Sequence, residues 1–194
     1  MTVSDSSPQT ITALQALSPL DGRYASRLAP LKDLFSEFGL IKQRVEIEVR
    51  WLEQLARTPQ IPEVPPLTDD AYAFLDHIVA DFSVTDAEQV KAIESKTNHD
   101  VKAVEYFLKA AVSGKPELQE VSEFIHFACT SEDINNLAYA VMLDKGRNNI
   151  LLPLIDQLIQ SLSELARSTA GQPMLSRTHG QTASPTTLGK ELAN

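Results

Sequence analysis

The chain has 194 residues, 43% of them hydrophobic, and its 17 Lys and Arg against 26 Asp and Glu give a net charge of −9. This length fits one domain, or one and part of a second, and the apolar fraction suffices for a core. Because the chain is acidic and has no basic run, an extended nucleic-acid surface is excluded, and an anionic ligand would need a local positive site. No stretch approaches the roughly 18 apolar residues of a membrane span, so we expect neither nucleic acid nor membrane as a partner.

The cysteine and glycine content further limits the structural class and the cellular compartment that we expect for the protein. Cys129 is the only cysteine and no His pair has metal-ligand spacing, which predicts no disulfide, no metal site and a reducing, cytoplasmic compartment. The polar segment 1–10 has no export signal and is predicted to be a flexible terminus. Only 7 Gly and no alternating β-branched runs predict a helical chain.

The first half of the chain predicts short helices in succession. After an Asp21-Gly22 turn, apolar residues at steps of three and four predict an amphipathic helix over Glu37 to Ala56. Four prolines make 58–67 an irregular connector, and Thr68 is a plausible N-cap for a second helix. The pattern Thr85-x-x-Glu88 predicts a capping box that opens a third helix from Asp86 to about Lys96.

The second half predicts longer helices. Stop signals near Ser113 predict a boundary between a helical domain, 11–113, and the beginning of a central helical bundle, 114–194. A long helix is predicted to begin at Thr130-Ser131 and to reach about Ala166, with a bend at Pro153. Ser184-Pro185 predicts the start of one more short helix.

Four polar segments interrupt this pattern and contain the residues that could carry chemistry. Loop formation or helix capping alone would account for most of them, although an Arg beside a phenol could bind phosphate and a helix start could bind an anion. His179 lies in a non-helical stretch and is the natural proton donor or acceptor, whereas His77 and His126 are expected at the edge of the core or on the surface. The candidates are Arg23 and Tyr24; Asn98, His99 and Asp100; Thr130 and Ser131; and His179.

The same four segments, in this order, resemble the adenylosuccinate lyase family of the fumarase/aspartase superfamily. The resembling stretches are Ser18–Tyr24, Thr97–Phe107, His126–Asn136 and Ser176–Gln181. The Thr-His-Gly-Gln type of segment recurs across the superfamily, while Asp-Gly-Arg-Tyr and Asn-His-Asp favour adenylosuccinate lyase. The resemblance covers nearly everything after the first ten residues.

The resemblance implies an all-α fold, an N-terminal helical domain followed by the start of a truncated long-helix bundle. It implies elimination of fumarate from adenylosuccinate to give AMP, and from the related succinyl-aminoimidazole carboxamide ribotide, without metal or organic cofactor. It also assigns roles: Arg23 and Tyr24 to the nucleotide phosphate, Asn98, His99 and Asp100 to the nucleotide, Thr130 and Ser131 to the dicarboxylate, and His179 as general acid.

The resemblance further implies a homotetramer whose active sites combine segments of three subunits. The family's catalytic Ser lies on a loop downstream of this sequence, so we expect the chain alone to be inactive. The apolar stripe from Ile134 to Leu165 would lack most of its partner helices, which favours self-association. Two alternatives remain: another lyase of the superfamily, such as argininosuccinate lyase or fumarase, and a non-catalytic helical assembly module.

Overall fold

Helices make up most of residues 14–194, the part of the chain that this computed structural model describes; the predicted flexible segment 1–10 lies outside it. The chain divides into two compact units, Met1–Asp144 and Lys145–Asn194, and the predicted boundary near Ser113 stays a prediction. The helices are α1 (Ala29–Phe35), α2 (Glu37–Ala56), α3 (Asp69–Ala80), α4 (Val84–Thr97), α5 (Asp100–Val112), α6 (Pro116–Glu120), α7 (Ser131–Gly146), α8 (Leu152–Ser168) and α9 (Leu188–Leu192). Short 3₁₀ turns cover Ala25–Arg27 and Ser122–Phe124.

Helix α2 is the centre of the first unit, and it has the bounds that the apolar periodicity predicts. Its apolar stripe is buried against α3, α4 and α5, which removes apolar side chains from water and is the main stabilising contribution. The Phe82 ring joins α2 and α5 in this core, because it lies 6.0 Å from the Phe38 ring and 5.7 Å from the Phe107 ring. The buried stripe consists of Ile41, Val45, Val49, Leu52 and Leu55.

The start of α4 differs from the sequence prediction. Ser83 is the N-cap, its hydroxyl accepts from the Asp86 backbone N–H, and the Asp86 carboxylate accepts from the Ser83 backbone N–H. The capping box at Thr85 and Glu88 is therefore wrong. Both pairs have the same spacing, but the earlier one lets the helix begin at Val84 and gain two residues.

The predicted long helix is present, with a change of helical register inside it. Helix α7 continues into a π-helical turn over Arg147–Leu151 and then into α8. Pro153 lies in the first turn of α8 and cannot donate a backbone hydrogen bond. A π turn just before this residue is the widening expected where the α-helical ladder loses a donor.

The second unit contains a β-hairpin that composition did not predict. Strands β1 (Pro173–Thr178) and β2 (Gln181–Thr187) pair antiparallel, so Ser184-Pro185 is not a helix start. Pro185 pairs with Leu175, which a two-stranded sheet tolerates because both strands are edges. Thr187 caps α9, whose buried Gly189 donates to the Thr169 carbonyl and packs where a Cβ would overlap the Ala166 carbonyl.

Candidate functional site

Two of the polar segments meet in the first unit, at the starts of α5 and α7. Asn98 is the C-cap of α4, in the left-handed conformation with φ of 55°, and it turns the chain so that His99 becomes the N-cap of α5. The His99 Nδ1 caps α5 by accepting from the Lys102 backbone N–H at 3.2 Å. The His99 Nε2 lies 3.5 Å from the Ser131 Oγ. The structure therefore brings together the nucleotide and dicarboxylate candidates of the sequence.

The cap fixes how the His99 ring uses its two nitrogens. Because Nδ1 accepts a hydrogen bond from the backbone, it carries the lone pair, and the proton of the neutral ring lies on Nε2. The His99 side chain is 51% exposed, so this N–H is accessible. His99 accordingly presents a hydrogen-bond donor beside the Ser131 hydroxyl, while its other nitrogen stabilises the helix.

Asp100 is held by a buried arginine that the sequence pattern did not single out. The Arg44 Nη2 lies 2.7 Å from the Asp100 Oδ2, and the Arg44 Nε donates to the Asn135 Oδ1 at 2.9 Å. Partial burial alone would raise the pKa of Asp100, but the hydrogen bond from the Val101 N–H and the Arg44 charge outweigh it and hold that pKa below its ordinary value. Asp100 is therefore a carboxylate near neutral pH.

Thr130 caps α7 by a reciprocal pair of hydrogen bonds. The Thr130 hydroxyl accepts from the Asp133 N–H, and the Thr130 N–H donates to the Asp133 carboxylate at 2.8 Å. These contacts from Thr130 hold the pKa of Asp133 below its ordinary value. Ser131 follows as the first helical residue. Its hydroxyl faces His99 at the N-terminus of a helix, where backbone N–H groups and the helix dipole favour an anion.

Arg23 and Tyr24 lie together in the predicted loop. Backbone hydrogen bonds from Asp21 and Gly22 to the Ser18 carbonyl form the turn, and the Arg23 guanidinium carbon is 5.5 Å from the centre of the Tyr24 ring. Within residues 14–194, no hydrogen bond or ion pair connects Arg23 or Tyr24 to the cluster at α5 and α7. Their assignment to a phosphate stays a prediction.

His179 lies at the tip of the hairpin in the second unit. It and Gly180 are the two turn residues between Thr178 and Gln181, with φ of 51° and 75°. Positive φ at both positions is the signature of a type I′ turn, which matches the twist of the strands it connects. The ring is exposed. A histidine at a hairpin tip is accessible to a ligand, and its role as general acid stays a prediction.

Sequence reasoning missed a buried pair that lies behind the α7 start. The Glu48 carboxylate has none of its surface exposed, and its Oε1 lies 2.6 Å from the His126 Nδ1. His126 was expected at the core edge or surface, and its side chain is 19% exposed. The sequence does show Arg44 and Glu48 four residues apart on α2, which could have indicated a charged cluster. The same spacing is also typical of an ion pair that faces solvent. Among residues 14–194, no three His, Cys, Asp or Glu side chains form a metal cluster.

Comparison with solved structures agrees with this architecture. The chain superposes with a TM-score of 0.64 on a fumarate lyase from Mesorhizobium sp. BNC1, at 24% identity over 85% of this chain and 36% of that one. A β-carboxy-cis,cis-muconate cycloisomerase from Acinetobacter calcoaceticus gives a TM-score of 0.61 at 21% identity. These likenesses place the chain in the helical fold of fumarate lyases and related enzymes.

Comparison of sequences identifies the family. A family described as Lyase matches residues 22–194, and the chain therefore belongs to that family, within the fumarase/aspartase superfamily. The adenylosuccinate lyase of Haemophilus influenzae is 58% identical over 184 residues, which is 95% of this chain and 40% of that protein. The adenylosuccinate lyases of Escherichia coli K12 and Legionella pneumophila are 56% and 49% identical over the same share of this chain. The chain thus spans about 40% of the length of these relatives. No helix among residues 14–194 is long and apolar enough to cross a membrane.

Proposed function

We propose that this chain forms the N-terminal part of a cytoplasmic lyase that eliminates fumarate from adenylosuccinate, leaving AMP, and from succinyl-aminoimidazole carboxamide ribotide. The observation that carries the proposal is the His99–Ser131 pair at the adjoining starts of α5 and α7. The chain that holds this pair is 58% identical, over 95% of its length, to the adenylosuccinate lyase of Haemophilus influenzae. An acidic chain thereby offers an anionic ligand a local set of donors.

The reaction breaks a C–H and a C–N bond and forms the double bond of fumarate. A base removes a proton from the carbon beside a carboxylate, and the electrons of the broken C–H bond place negative charge on that carboxylate. These electrons then form the double bond, the C–N electrons leave with the nitrogen, and an acid protonates that nitrogen. Ser131 and the first N–H groups of α7 are suited to stabilise this charge, because they are fixed donors at the positive end of a helix dipole. Thr130, whose hydroxyl is engaged in the cap, sets their position.

The remaining candidates serve the nucleotide and the proton. The His99 Nε2 would donate a hydrogen bond to the nucleotide part of the substrate, next to Asn98, the C-cap of α4, and the ionised Asp100. Arg23 and Tyr24 would hold the phosphate, since a guanidinium beside a phenol supplies charge and directed donors. His179 would protonate the departing nitrogen, because an imidazolium can supply the proton. The base is assigned to a serine outside this chain.

The test compares this chain with a completed chain, in which the downstream part of the Haemophilus influenzae relative follows these 194 residues. Cleavage of adenylosuccinate is followed by absorbance. We expect no turnover from the 194-residue chain and turnover from the completed chain. A His179→Gln variant should lower kcat about 10²- to 10⁴-fold, the usual contribution of a general acid.

Three outcomes of this test would contradict the proposal. A completed chain that cleaves argininosuccinate or hydrates fumarate, and not adenylosuccinate, would assign the site to another lyase. A folded completed chain without any of these activities would favour a non-catalytic assembly role. Turnover by the verified 194-residue chain would show that the base lies within it.

We also propose that the chain assembles with copies of itself, as a homotetramer in the completed form. The supporting observation is α8, which has no buried residue and exposes a continuous apolar face: Leu154, Ile155, Leu158, Ile159, Leu162 and Leu165 are each 40% to 58% exposed. Such a face favours association in water. Light scattering should give the 194-residue chain a mass above its monomer value of 21.4 kDa. Replacing Leu158 and Leu162 by Lys should lower that mass, and a compact wild-type monomer at high concentration would refute the proposal.

A further inference from the structure

Glu48 is a fully buried carboxylate with one unsatisfied oxygen. Its Oε1 pairs with the His126 Nδ1 at 2.6 Å, and its Oε2 is buried without a hydrogen-bond partner. Burial raises the pKa of Glu48 above its ordinary value, although the hydrogen bond and charge of His126 oppose this shift and Glu105 adds to it. Such a residue is costly to the fold, since a buried carboxylate loses its hydration. A hydrophobic side chain of the same size would serve the core at least as well.

The segment that Glu48 contacts is itself in an unfavourable conformation. His126 and Ala128 both lie in the left-handed region, with φ of 66° and 58°, and neither is glycine. Each such residue is strained and persists only where its surroundings hold it. The segment leads directly into Cys129, Thr130 and Ser131, so its conformation determines where the α7 start presents its donors.

Helix α2 holds this segment at two of its consecutive residues, His126 and Phe127. Glu48 binds the His126 ring, and the Trp51 Nε1 donates to the Phe127 carbonyl at 2.7 Å. One turn before Glu48, Arg44 binds Asp100 at the α5 start and Asn135 in α7. We call Arg44, Glu48 and Trp51 the anchoring face of α2. It contacts both segments that carry the His99–Ser131 pair.

We infer that Glu48 is a positioning residue: its hydrogen bond to His126 holds the segment 126–128, which contains two left-handed residues, and thereby places Thr130 and Ser131 for the substrate carboxylate. The inference rests on the proposed function for its effect on substrate, but the placement itself is a property of this chain. Among residues 14–194, no hydrogen bond or ion pair joins Glu48 to a candidate substrate-binding residue, so it acts through His126 and the backbone that follows.

Two variants of Glu48 and one matched control test this role. Glu48→Gln keeps an oxygen that accepts from the His126 Nδ1–H, whereas Glu48→Met keeps the length and removes the acceptor. Glu53→Gln is the control, because Glu53 is a buried carboxylate on the same helix, with a side chain 3% exposed. Its partners are Arg50 on that helix and Arg57, the residue that caps its C-terminus. Among the described residues, no hydrogen bond or ion pair joins Glu53 to the segment 126–131.

In the completed chain, Glu48→Met should raise KM for adenylosuccinate about 10- to 100-fold, the effect of losing one strong hydrogen bond. The melting temperature should stay the same or rise, because an apolar side chain replaces a buried carboxylate. Glu48→Gln should restore KM to within about threefold, and Glu53→Gln should leave it unchanged. A KM for Glu48→Met that equals wild type, or that the control reproduces, would overturn the inference.

A readout without turnover separates this inference from the proposed function. In NMR spectra of the 194-residue chain, the His126 Nδ1 proton should be strongly deshielded in wild type and shifted in Glu48→Gln. In Glu48→Met it should be lost, with displacement of the Thr130 and Ser131 amide resonances. Amide resonances at Thr130 and Ser131 that do not respond would refute the positioning role. Inactivity of the completed wild-type chain would instead refute the proposed function.

Discussion

Removal of the Arg44 guanidinium should destabilise the fold by about 2 kcal/mol. Arg44→Met keeps most of the side-chain length but deletes the ion pair to Asp100 at 2.7 Å and the hydrogen bond to Asn135 at 2.9 Å. The Asp100 side chain is 47% exposed, so water screens that pair and we assign it about 1 kcal/mol. The bond to Asn135 is charge-assisted and adds about 1.5 to 2 kcal/mol. The variant no longer has the desolvation cost of a buried guanidinium, and this gain offsets part of the loss from the two interactions.

The pH dependence of this loss follows from the lowered pKa of Asp100. A carboxyl whose pKa is lowered on folding contributes stability above its ordinary pKa of about 4, and that contribution disappears as pH falls through the folded value. In Arg44→Met only the part of the Asp100 contribution that comes from Arg44 is absent at every pH, because the Val101 N–H still donates to the Asp100 carboxylate. The difference in unfolding free energy between wild type and variant should therefore be constant from pH 7 to about 5. It should narrow below about pH 4, and the Asn135 bond should keep it above zero.

Urea denaturation followed by fluorescence of Trp51, the single tryptophan, measures both effects. Lys91→Met is the control, because Lys91 is 44% exposed and its pairs with Glu37 and Glu94 lie at the surface. We expect the control to lose less than about 1 kcal/mol. A loss below about 0.5 kcal/mol for Arg44→Met, or a difference that widens in acid, would refute the role given to this arginine.

Two further substitutions separate local roles. In urea denaturation, His99→Asn should keep the free energy of unfolding within about 0.5 kcal/mol of wild type, because Asn is a good N-cap, whereas His99→Ala should lose about 1 kcal/mol. Both variants should lower kcat/KM of the completed chain, because both lose the Nε2 donor. A kcat/KM that His99→Asn leaves unchanged would exclude His99 from substrate binding. Gly180→Ala should weaken the hairpin by about 1 kcal/mol through strain at φ of 75°. Hydrogen exchange of the strand amides would show this, and unchanged protection would contradict the turn assignment.

The sequence predicted the helices best where apolar periodicity was long and uninterrupted. Helix α2 has the predicted bounds, because 20 residues of regular spacing leave little choice of register. The start of α4 was predicted wrongly because Ser83 and Thr85 both precede an acidic residue by three positions. Local pattern cannot decide between two such caps, and packing decides instead.

The hairpin was not predicted because its turn is formed by residues that are not typical of hairpin turns. A type I′ turn is normally signalled by Asn-Gly or Asp-Gly, and here the pair is His179-Gly180. The strands are also short and exposed and include Pro185, so no buried alternation identified them. The non-helical character of 174–181 was visible in the sequence, and the pairing of 173–178 with 181–187 was not.

Helix capping and ligand binding draw on the same chemistry, which is why the candidate residues were ambiguous in the sequence. A Thr, Ser or His at a helix start satisfies backbone donors and, at the same position, offers a side chain to an anion. In the structure, capping accounts for only some of the polar atoms of these residues. One nitrogen of His99 and the hydroxyl of Thr130 form capping hydrogen bonds, whereas the His99 Nε2 and the Ser131 hydroxyl face each other.

The anchoring face of α2 is the stronger indication that this arrangement serves more than the fold. Capping alone would need no buried Arg44 and no buried Glu48, because each helix start is already satisfied by its own residues. Burying two charged side chains is unfavourable unless their partners must be held in one place. Both partners, Asp100 and His126, belong to the segments that form the His99–Ser131 pair. The polar side of an amphipathic helix, usually assigned to solvent, therefore fixes the relative placement of two helix starts.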